Sequence, residues 1–370
     1  MRIWSRRYLA SLSTGISKPY NVLFFGSNEY SRITLDTLYT HKNFPKVISR
    51  LAVIAPAVVA TNTPGDFFQR YLINKQIEQY TFQHQITQIE EIMAQQQTPF
   101  DLAIIASFNK VIPDNILVSF GKGVLVAHPS LLPKYRGIAP IEHCILNEDK
   151  ETGVTILEAS KQGILLGKIL KQNKFNVDSN DDYIQLARKC GRMAGEILIE
   201  ILNKLDEYEL YAKEQKVSKD DKDAPPFTSA ETVFLWDKLT TKEAVKKQKA
   251  LFGSPMSGFT KLKIRGKWSY AFFNELIPIP STSDTYKKLL EPLEDQAKPG
   301  VIHWDLNDYS KIYIRCSDGW VSANRIEINN KCNTIPMFIT EVLNEENFNE
   351  NNSFAHKFAT SKNLIKVKQY

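Results

Sequence analysis

The chain has 370 residues, of which 43% are hydrophobic and 24% are charged, and its formal net charge at pH 7 is +6. This length provides for two domains with their own cores, and the composition excludes a disordered or fibrous chain. No apolar run approaches the roughly 20 residues that span a bilayer, so membrane insertion is not predicted.

The four cysteines are scattered along the chain, without a C-x-x-C pair and without a His at the spacing of a metal ligand. They are Cys144, Cys190, Cys316 and Cys332. We therefore predict reduced thiols and no bound metal.

The first 18 residues differ in composition from the rest of the chain. They contain Arg2, Arg6, Arg7 and Lys18 with four serines, whereas the first acidic residue is Glu29. A basic, serine-rich, acid-free stretch of this kind is typical of a mitochondrial targeting peptide, and the alternative is a frayed basic terminus. We predict targeting by residues 1–18 and a protein of the mitochondrial matrix.

Residues 20–210 predict alternating strands and helices. An apolar strand at 21–25 leads through a Gly turn into a helical pattern at 30–39, which is the opening of a βαβ unit. Further strands are predicted at 47–60, 101–106, 124–126 and 151–157, with helices at 67–75, 86–97 and 181–210. This order predicts a doubly wound, Rossmann-like parallel sheet, and the absence of G-x-G-x-x-G argues against a dinucleotide site.

The stretch at residues 123–141 has the pattern expected of a functional loop. A short apolar strand ends at His128, and the prolines and glycine that follow prevent regular structure. The carboxyl ends of strands in an open parallel sheet are where ligands bind. By itself a lone His is more often structural than catalytic.

Beyond the long helical pattern the composition changes twice. Residues 211–228 are a charge-mixed run that ends in Pro225 and Pro226, which predicts a linker. Short alternating strands at 260–264, 268–273, 300–304, 311–316 and 320–328 then predict a small OB-like β-barrel within residues 229–345. Residues 346–370 are predicted to form a basic tail.

Several motifs resemble those of the folate-dependent formyltransferases. His128 is followed by Ser130, Leu131, Leu132 and Pro133, and then by R-G-I-A-P-I at residues 136–141. The turn at 25–28, the segment S-F-N-K-V-I-P at 107–113, the strand E-T-G-V-T-I at 151–156 and the P-M-S at 255–257 match further parts of that family's pattern. The second domain and the targeting peptide make the chain most similar to the branch that formylates methionyl-tRNA.

The resemblance implies transfer of a formyl group from 10-formyltetrahydrofolate, a co-substrate, to the amine of initiator Met-tRNA. In that family a His and an Asn donate hydrogen bonds to the developing oxyanion, and an Asp orients the His. His128 takes the catalytic role here, and Ser130, Leu131, Leu132 and Pro133 are implied to bind the folate. The resemblance also implies a monomer.

Two positions depart from the family pattern. Val126 stands where the family has the Asn, and alignment of the following strand brings Leu165 onto the Asp. Neither side chain donates hydrogen bonds or accepts a proton. Asn109 is the alternative hydrogen-bond donor, and Glu158 and Ser160 are the polar residues nearest to the missing Asp. Three hypotheses therefore remain: a methionyl-tRNA formyltransferase with a rearranged site, a formyltransferase for another amine, and a weakly active or non-catalytic homologue that binds tRNA or folate.

Overall fold

The structure is a computed structural model, and it describes residues 17–57, 64–82, 87–94, 98–108, 110–216, 218, 221–264, 267–305, 308, 310–328, 331–338 and 365–366. The chain divides into two compact units, Met1–Pro226 and Phe227–Tyr370. Nearly all of the predicted targeting peptide and basic tail lie outside the described residues, so both stay predictions. No helix of the described part is long and apolar enough to cross a membrane.

The first unit contains a seven-stranded, mostly parallel sheet, which confirms the predicted α/β class. Its strands are β1 (Tyr20–Gly26), β2 (Ile48–Pro56), β3 (Glu78–Phe82), β4 (Leu102–Ala106), β5 (Val124–His128), β6 (Glu151–Glu158) and β7 (Ile169–Asn176). Their spatial order is β3-β2-β1-β4-β5-β6-β7. The first five run parallel to one another. The central strands are buried over almost their whole length, which explains their continuous apolar sequences.

The last two strands differ from the parallel arrangement expected from sequence. β6 is antiparallel to β5 and β7 is antiparallel to β6. Only residues 159–168 connect β6 to β7, which is too short for the crossover that a parallel neighbour needs. β7 itself was not predicted, because this edge strand (I-L-K-Q-N-K-F-N) is mostly polar and only Leu170 is buried.

Helices cover the sheet. They are α1 (Glu29–Thr40), α2 (Phe44–Val47), α3 (Pro64–Asn74), α4 (Thr87–Ala94), α5 (Asp114–Leu117), α6 (Pro140–Leu146), α7 (Tyr183–Asn203) and α8 (Leu205–Leu210). The helical pattern at 181–210 is therefore two helices, interrupted at Lys204. α7 packs on α1, and a Cβ at Gly195 would lie only 2.6 Å from the Thr37 side chain, so the helices approach closely.

The second unit is antiparallel β structure with short helices, which confirms its predicted β character. It contains α9 (Ser229–Thr232), α10 (Thr241–Leu251), β8 (Thr260–Ile264), β9 (Lys267–Phe273), β10 (Leu276–Ile279), a π turn (Tyr286–Leu290), a 3-10 turn (Glu291–Leu293), β11 (Val301–Trp304), β12 (Ile312–Arg315), β13 (Trp320–Ala323), β14 (Arg325–Ile328), β15 (Lys331–Thr334) and a short strand Ile365–Lys366.

These strands form two sheets, in the orders β8-β9-β14-β15 and β10-β13-β12-β11 followed by Ile365–Lys366. The predicted strand at 320–328 is in fact two strands, because the chain passes from one sheet to the other at Asn324. The OB-like barrel and the predicted domain boundaries stay predictions.

Candidate functional site

The turns that follow β1 and β4 are joined by hydrogen bonds at the carboxyl edge of the sheet. Ser27 donates from its hydroxyl to the carbonyl oxygen of Ser107, and the Asn28 side-chain amide donates to the Ser107 hydroxyl at 2.7 Å. Ser31 donates from its hydroxyl to the carbonyl oxygen of Ala106 at 2.5 Å. Asn28 also caps α1. The turn at 25–28 and the beginning of the 107–113 segment are thus connected by hydrogen bonds at this edge.

The loop after β5 is held by side chains from β6 and β7. The hydroxyl of Thr155 donates to the carbonyl oxygen of Ser130 at 2.6 Å and accepts from the backbone N–H of Leu132 at 3.1 Å. The side-chain amide of Gln172 donates to the carbonyl oxygen of Leu132 at 2.8 Å and to the Thr155 hydroxyl at 2.9 Å. Ser130, which is 1% exposed, donates from its own hydroxyl to the carbonyl oxygen of Lys134.

His128 is buried at the end of β5, opposite Thr155 in the strand register. Its Nε2 lies 2.9 Å from the carbonyl oxygen of Tyr135. Because a carbonyl oxygen carries no proton, Nε2 must be the protonated nitrogen, and Nδ1 then has a free lone pair. Burial lowers the pKa of His128 to about 4, helped by the charge of Arg136 and opposed by the bond to Tyr135. The imidazole is therefore neutral at physiological pH.

The segment predicted as a linker contacts the other side of this loop. The backbone N–H of Tyr135 donates to the carbonyl oxygen of Lys222 at 2.5 Å, and the N–H of Ile138 donates to that of Ala224 at 2.8 Å. Arg136–Gly137 and Asp223–Ala224 pair as two parallel two-residue strands. Gly137 has φ +142°, and a Cβ there would stand 2.2 Å from the carbonyl oxygen of Ala224. Close approach of two backbones therefore requires glycine at this position.

Val126 and Leu165 both lie in apolar surroundings. The Val126 side chain is 4% exposed and belongs to the core cluster of the first unit, and Leu165 packs against the same cluster together with Phe108 and Ile164. The positions at which the resemblance expects an Asn and an Asp are therefore part of one hydrophobic core.

The three polar alternatives considered from sequence fare differently. Asn109 lies outside the described residues. Glu158 pairs with Leu125, whereas His128 pairs with Thr155. The two pairs are three residues apart along β5, which corresponds to roughly 10 Å at the rise of a strand. Ser160 donates from its hydroxyl to the carbonyl oxygen of Gly163. Neither of the two described residues is brought to His128.

Sequence reasoning missed three residues whose side chains hydrogen-bond to segments of the candidate site: Thr155, Gln172 and Gln215. The Gln215 amide donates to the carbonyl oxygen of Leu165 and accepts from Arg136. Thr155 lies between Val154 and Ile156 in the E-T-G-V-T-I strand, and these apolar neighbours could have marked it as a buried polar group. Gln172 and Gln215 carry no such signal, because one lies in a polar edge strand and the other in a charged run.

Beside the loop lies an open cleft of about 330 Å³, lined in part by Leu131, Lys134, Tyr135 and Thr152. Lys134 forms an ion pair at 2.7 Å with Asp149, which also lines the cleft. Within the described residues, no group of three or more His, Cys, Asp or Glu side chains is arranged to hold a metal ion.

Comparison with known proteins gives consistent matches. A family model described as Formyl transferase matches residues 40–202. The methionyl-tRNA formyltransferase of Dictyoglomus thermophilum is 32% identical over 223 residues, which are 58% of this chain and 68% of that protein. The mitochondrial methionyl-tRNA formyltransferase of Rattus norvegicus is 24% identical over 324 residues, which are 83% of this chain and 75% of that protein.

A solved structure shares the fold. HypX from Aquifex aeolicus, in complex with tetrahydrofolic acid, matches with a TM-score of 0.59 and 16% identity. The match covers 89% of this chain and 48% of that chain, so this chain spans about half the length of HypX.

Proposed function

Because this chain belongs to the methionyl-tRNA formyltransferase family, we propose that it transfers a formyl group to the amine of methionyl-initiator tRNA. The observation that carries the proposal is the loop from His128 to Pro133. The side chains of Thr155 and Gln172 hold this loop by hydrogen bonds. The buried, neutral imidazole of His128 lies at the carboxyl edge of the sheet.

The formyl group would be supplied by 10-formyltetrahydrofolate, used as a co-substrate. Ser130, Leu131, Leu132 and Pro133 would bind it, with the partly buried side chains of Phe108, Ile164 and Leu165 as an apolar wall. A flat pterin ring needs apolar surfaces and a few fixed polar groups, and rigid loop backbone next to partly exposed apolar side chains offers both. The tetrahydrofolic acid in the HypX complex supports this ligand class.

The geometry favours one of the two roles that a His can play in formyl transfer. The Nε2–H of His128 is engaged by the Tyr135 carbonyl oxygen, whereas Nδ1 is an acceptor. We therefore propose that His128 accepts a proton from the attacking amine through Nδ1. Donation to the developing oxyanion would first require Nε2–H to leave Tyr135.

One observation favours a second candidate function. Val126 and Leu165 are packed into an apolar cluster, so neither position offers the polar groups that the family uses. Loss of one oxyanion donor typically costs about 10² to 10³ in turnover. The second candidate is therefore a weakly active or non-catalytic homologue that binds tRNA or folate, or a formyltransferase for another amine.

The proposed location is the mitochondrial matrix. The rat relative is named as mitochondrial, and the composition of residues 1–18 supports import. Expression of the chain with and without residues 1–18, each carrying a C-terminal tag, tests this. Matrix import of the longer chain only is expected, and equal distribution of both chains would contradict it.

The experiment for the function compares acceptors. Purified protein and 10-formyltetrahydrofolate are incubated with initiator Met-tRNA, elongator Met-tRNA, free methionine or a nucleotide-linked amino sugar. We expect formylation of initiator Met-tRNA in clear preference to the others. Faster formylation of the amino sugar would support another amine, and no product with any acceptor would support the non-catalytic candidate.

A further inference from the structure

Gln215 connects two loops of the site with one side chain. Its Nε2 donates to the carbonyl oxygen of Leu165 at 2.8 Å and to that of Gly167 at 2.9 Å. Its Oε1 accepts from Nη2 of Arg136 at 3.1 Å. Both amide protons and one oxygen lone pair are thus used. Leu165 stands at the position of the family's Asp, and Arg136 opens the R-G-I-A-P-I motif.

The backbone next to Gln215 holds it in place. Lys213 and Ile169 exchange two backbone hydrogen bonds, of 2.8 and 2.9 Å, so the segment adds a pairing to the start of β7. Gln215 follows two residues later and therefore lies beside the turn that precedes β7. Its contacts follow from this pairing and from side-chain length, although its sequence surroundings predicted only a linker.

The turn at residues 163–167 is held by core packing and by short-range hydrogen bonds. Ile164 and Leu165 pack against the core cluster of the first unit, and the Ser160 hydroxyl donates to the carbonyl oxygen of Gly163. Within it, the backbone N–H of Leu166 donates to Gly163 at 3.0 Å, and that of Gly163 donates to Ser160 at 3.2 Å. The carbonyl oxygens of Leu165 and Gly167 point instead to Gln215. The Gln215 amide therefore joins the turn that contains Leu165 to the loop that contains Arg136 by hydrogen bonds.

We propose that Gln215 is a positioning residue that locks the 163–167 turn against Arg136 and so fixes the geometry of formyl transfer. This inference rests on the proposed function. Leu165 belongs to the proposed wall of the folate site, and a shift of about 1 Å in the bound formyl donor can cost about 10²-fold in rate, so loss of the Gln215 bonds lowers kcat. The proposal assigns Ile164 and Leu165 of this turn to the folate wall and assigns none of its residues to tRNA, so KM for initiator Met-tRNA is expected to change little.

Two substitutions distinguish the hydrogen bonds that Gln215 donates from the one that it accepts. Gln215→Ala removes all three hydrogen bonds. Gln215→Glu keeps an acceptor for Arg136 but replaces the two donated bonds with repulsion between the carboxylate and two carbonyl oxygens. Lys213→Ala is the matched control, because the exposed Lys213 side chain is removed from the same segment while its backbone pairing with Ile169 remains.

The test measures kcat and KM for initiator Met-tRNA in the full chain, and amide hydrogen exchange of residues 160–168. We expect kcat to fall about tenfold or more in Gln215→Ala and in Gln215→Glu, with KM within about twofold of wild type. Exchange at Leu166 should accelerate in both, and Lys213→Ala should behave as wild type.

Three results would overturn the inference. The first is a kcat of Gln215→Ala within about twofold of wild type. The second is a wild-type kcat in Gln215→Glu when Gln215→Ala is slower, and the third is unchanged exchange at residues 160–168. If wild-type protein forms no product, the proposed function fails. The exchange data still decide the lock, since faster exchange in both Gln215 variants supports it and unchanged exchange rejects it.

Discussion

The hydroxyl of Thr155 donates a 2.6 Å hydrogen bond to the carbonyl oxygen of Ser130, across the antiparallel pairing of β6 with β5. The same hydroxyl accepts from the backbone N–H of Leu132. The E-T-G-V-T-I strand and the loop after His128 are therefore one hydrogen-bonded unit, although they are separated along the chain.

Thr155→Val should weaken this unit. Valine keeps the shape of threonine but leaves the Ser130 carbonyl and the Leu132 N–H without their partner, and each unsatisfied buried group costs about 1–3 kcal/mol. Urea unfolding should show a free energy of unfolding lower by about 2 kcal/mol or more. Thr155→Ser keeps the hydroxyl and should lose about 1 kcal/mol for the missing methyl. Equal losses in the two variants would contradict the role of the hydroxyl.

Gly137→Ala should separate the signature loop from the 223–224 segment. A Cβ at Gly137 would stand 2.2 Å from the backbone oxygen of Ala224, at a φ of +142° that side chains rarely adopt. Gly123→Ala is the control, because its φ is +78° but the nearest atom is the Glu158 Oε1 at 3.5 Å. Backbone strain costs about 1–3 kcal/mol in both, and only Gly137→Ala adds the clash. A melting temperature as high in Gly137→Ala as in Gly123→Ala would contradict this close approach.

The free energy of unfolding should decrease as the pH is lowered between the unfolded and the folded pKa of His128. In this range the imidazole is protonated in the unfolded chain but neutral in the folded protein. The folded pKa is about 4, below the unfolded value of about 6.5, so between these values the unfolded chain binds more protons. From pH 7 to pH 5 this residue should remove about 2 kcal/mol of the free energy of unfolding. His128→Asn should lack this component in urea unfolding at the two pH values. Identical pH dependence in both proteins would show that burial does not shift the pKa.

Val126→Asn should destabilise the protein. An amide placed in this apolar cluster without partners costs about 1–3 kcal/mol. Val111→Asn is the matched control, since Val111 is 75% exposed and should change stability by less than about 0.5 kcal/mol.

If the site has its own catalytic arrangement, Val126→Asn combined with Leu165→Asp should lower turnover. A rise in turnover would instead mean that this chain uses the catalytic arrangement of the family and lacks only these two side chains.

The parts of the fold that sequence predicts are those with one dominant signal. The central strands are continuous apolar runs, and α1 has both the 3.6-residue period and a capping box at Asn28. β7 and the break at Asn324 lack such a signal, because edge strands are polar and a change of sheet leaves the strand composition unchanged.

The residues of the candidate site likewise divide into those with a sequence signal and those without one. His128 and the Ser130–Pro133 loop are predicted from a motif that lies within one continuous stretch. Gln172 and Gln215 act through side-chain amides that reach the loop from 40 or more residues away in sequence, since the Gln172 bond to Leu132 spans 40 and the Gln215 bond to Arg136 spans 79. Long-range hydrogen bonds of polar residues depend on the tertiary fold, so a single sequence does not contain them.

The most direct test of the account is formyl transfer to initiator Met-tRNA under single-turnover conditions, with wild-type protein beside His128→Ala. Wild type should form formyl-Met-tRNA well above the rate without protein. His128→Ala should be slower by about 100-fold or more while it still binds the tRNA, because it loses the acceptor at Nδ1. No product from wild-type protein that binds the tRNA normally, or equal rates for the two proteins, would contradict the proposed function of His128.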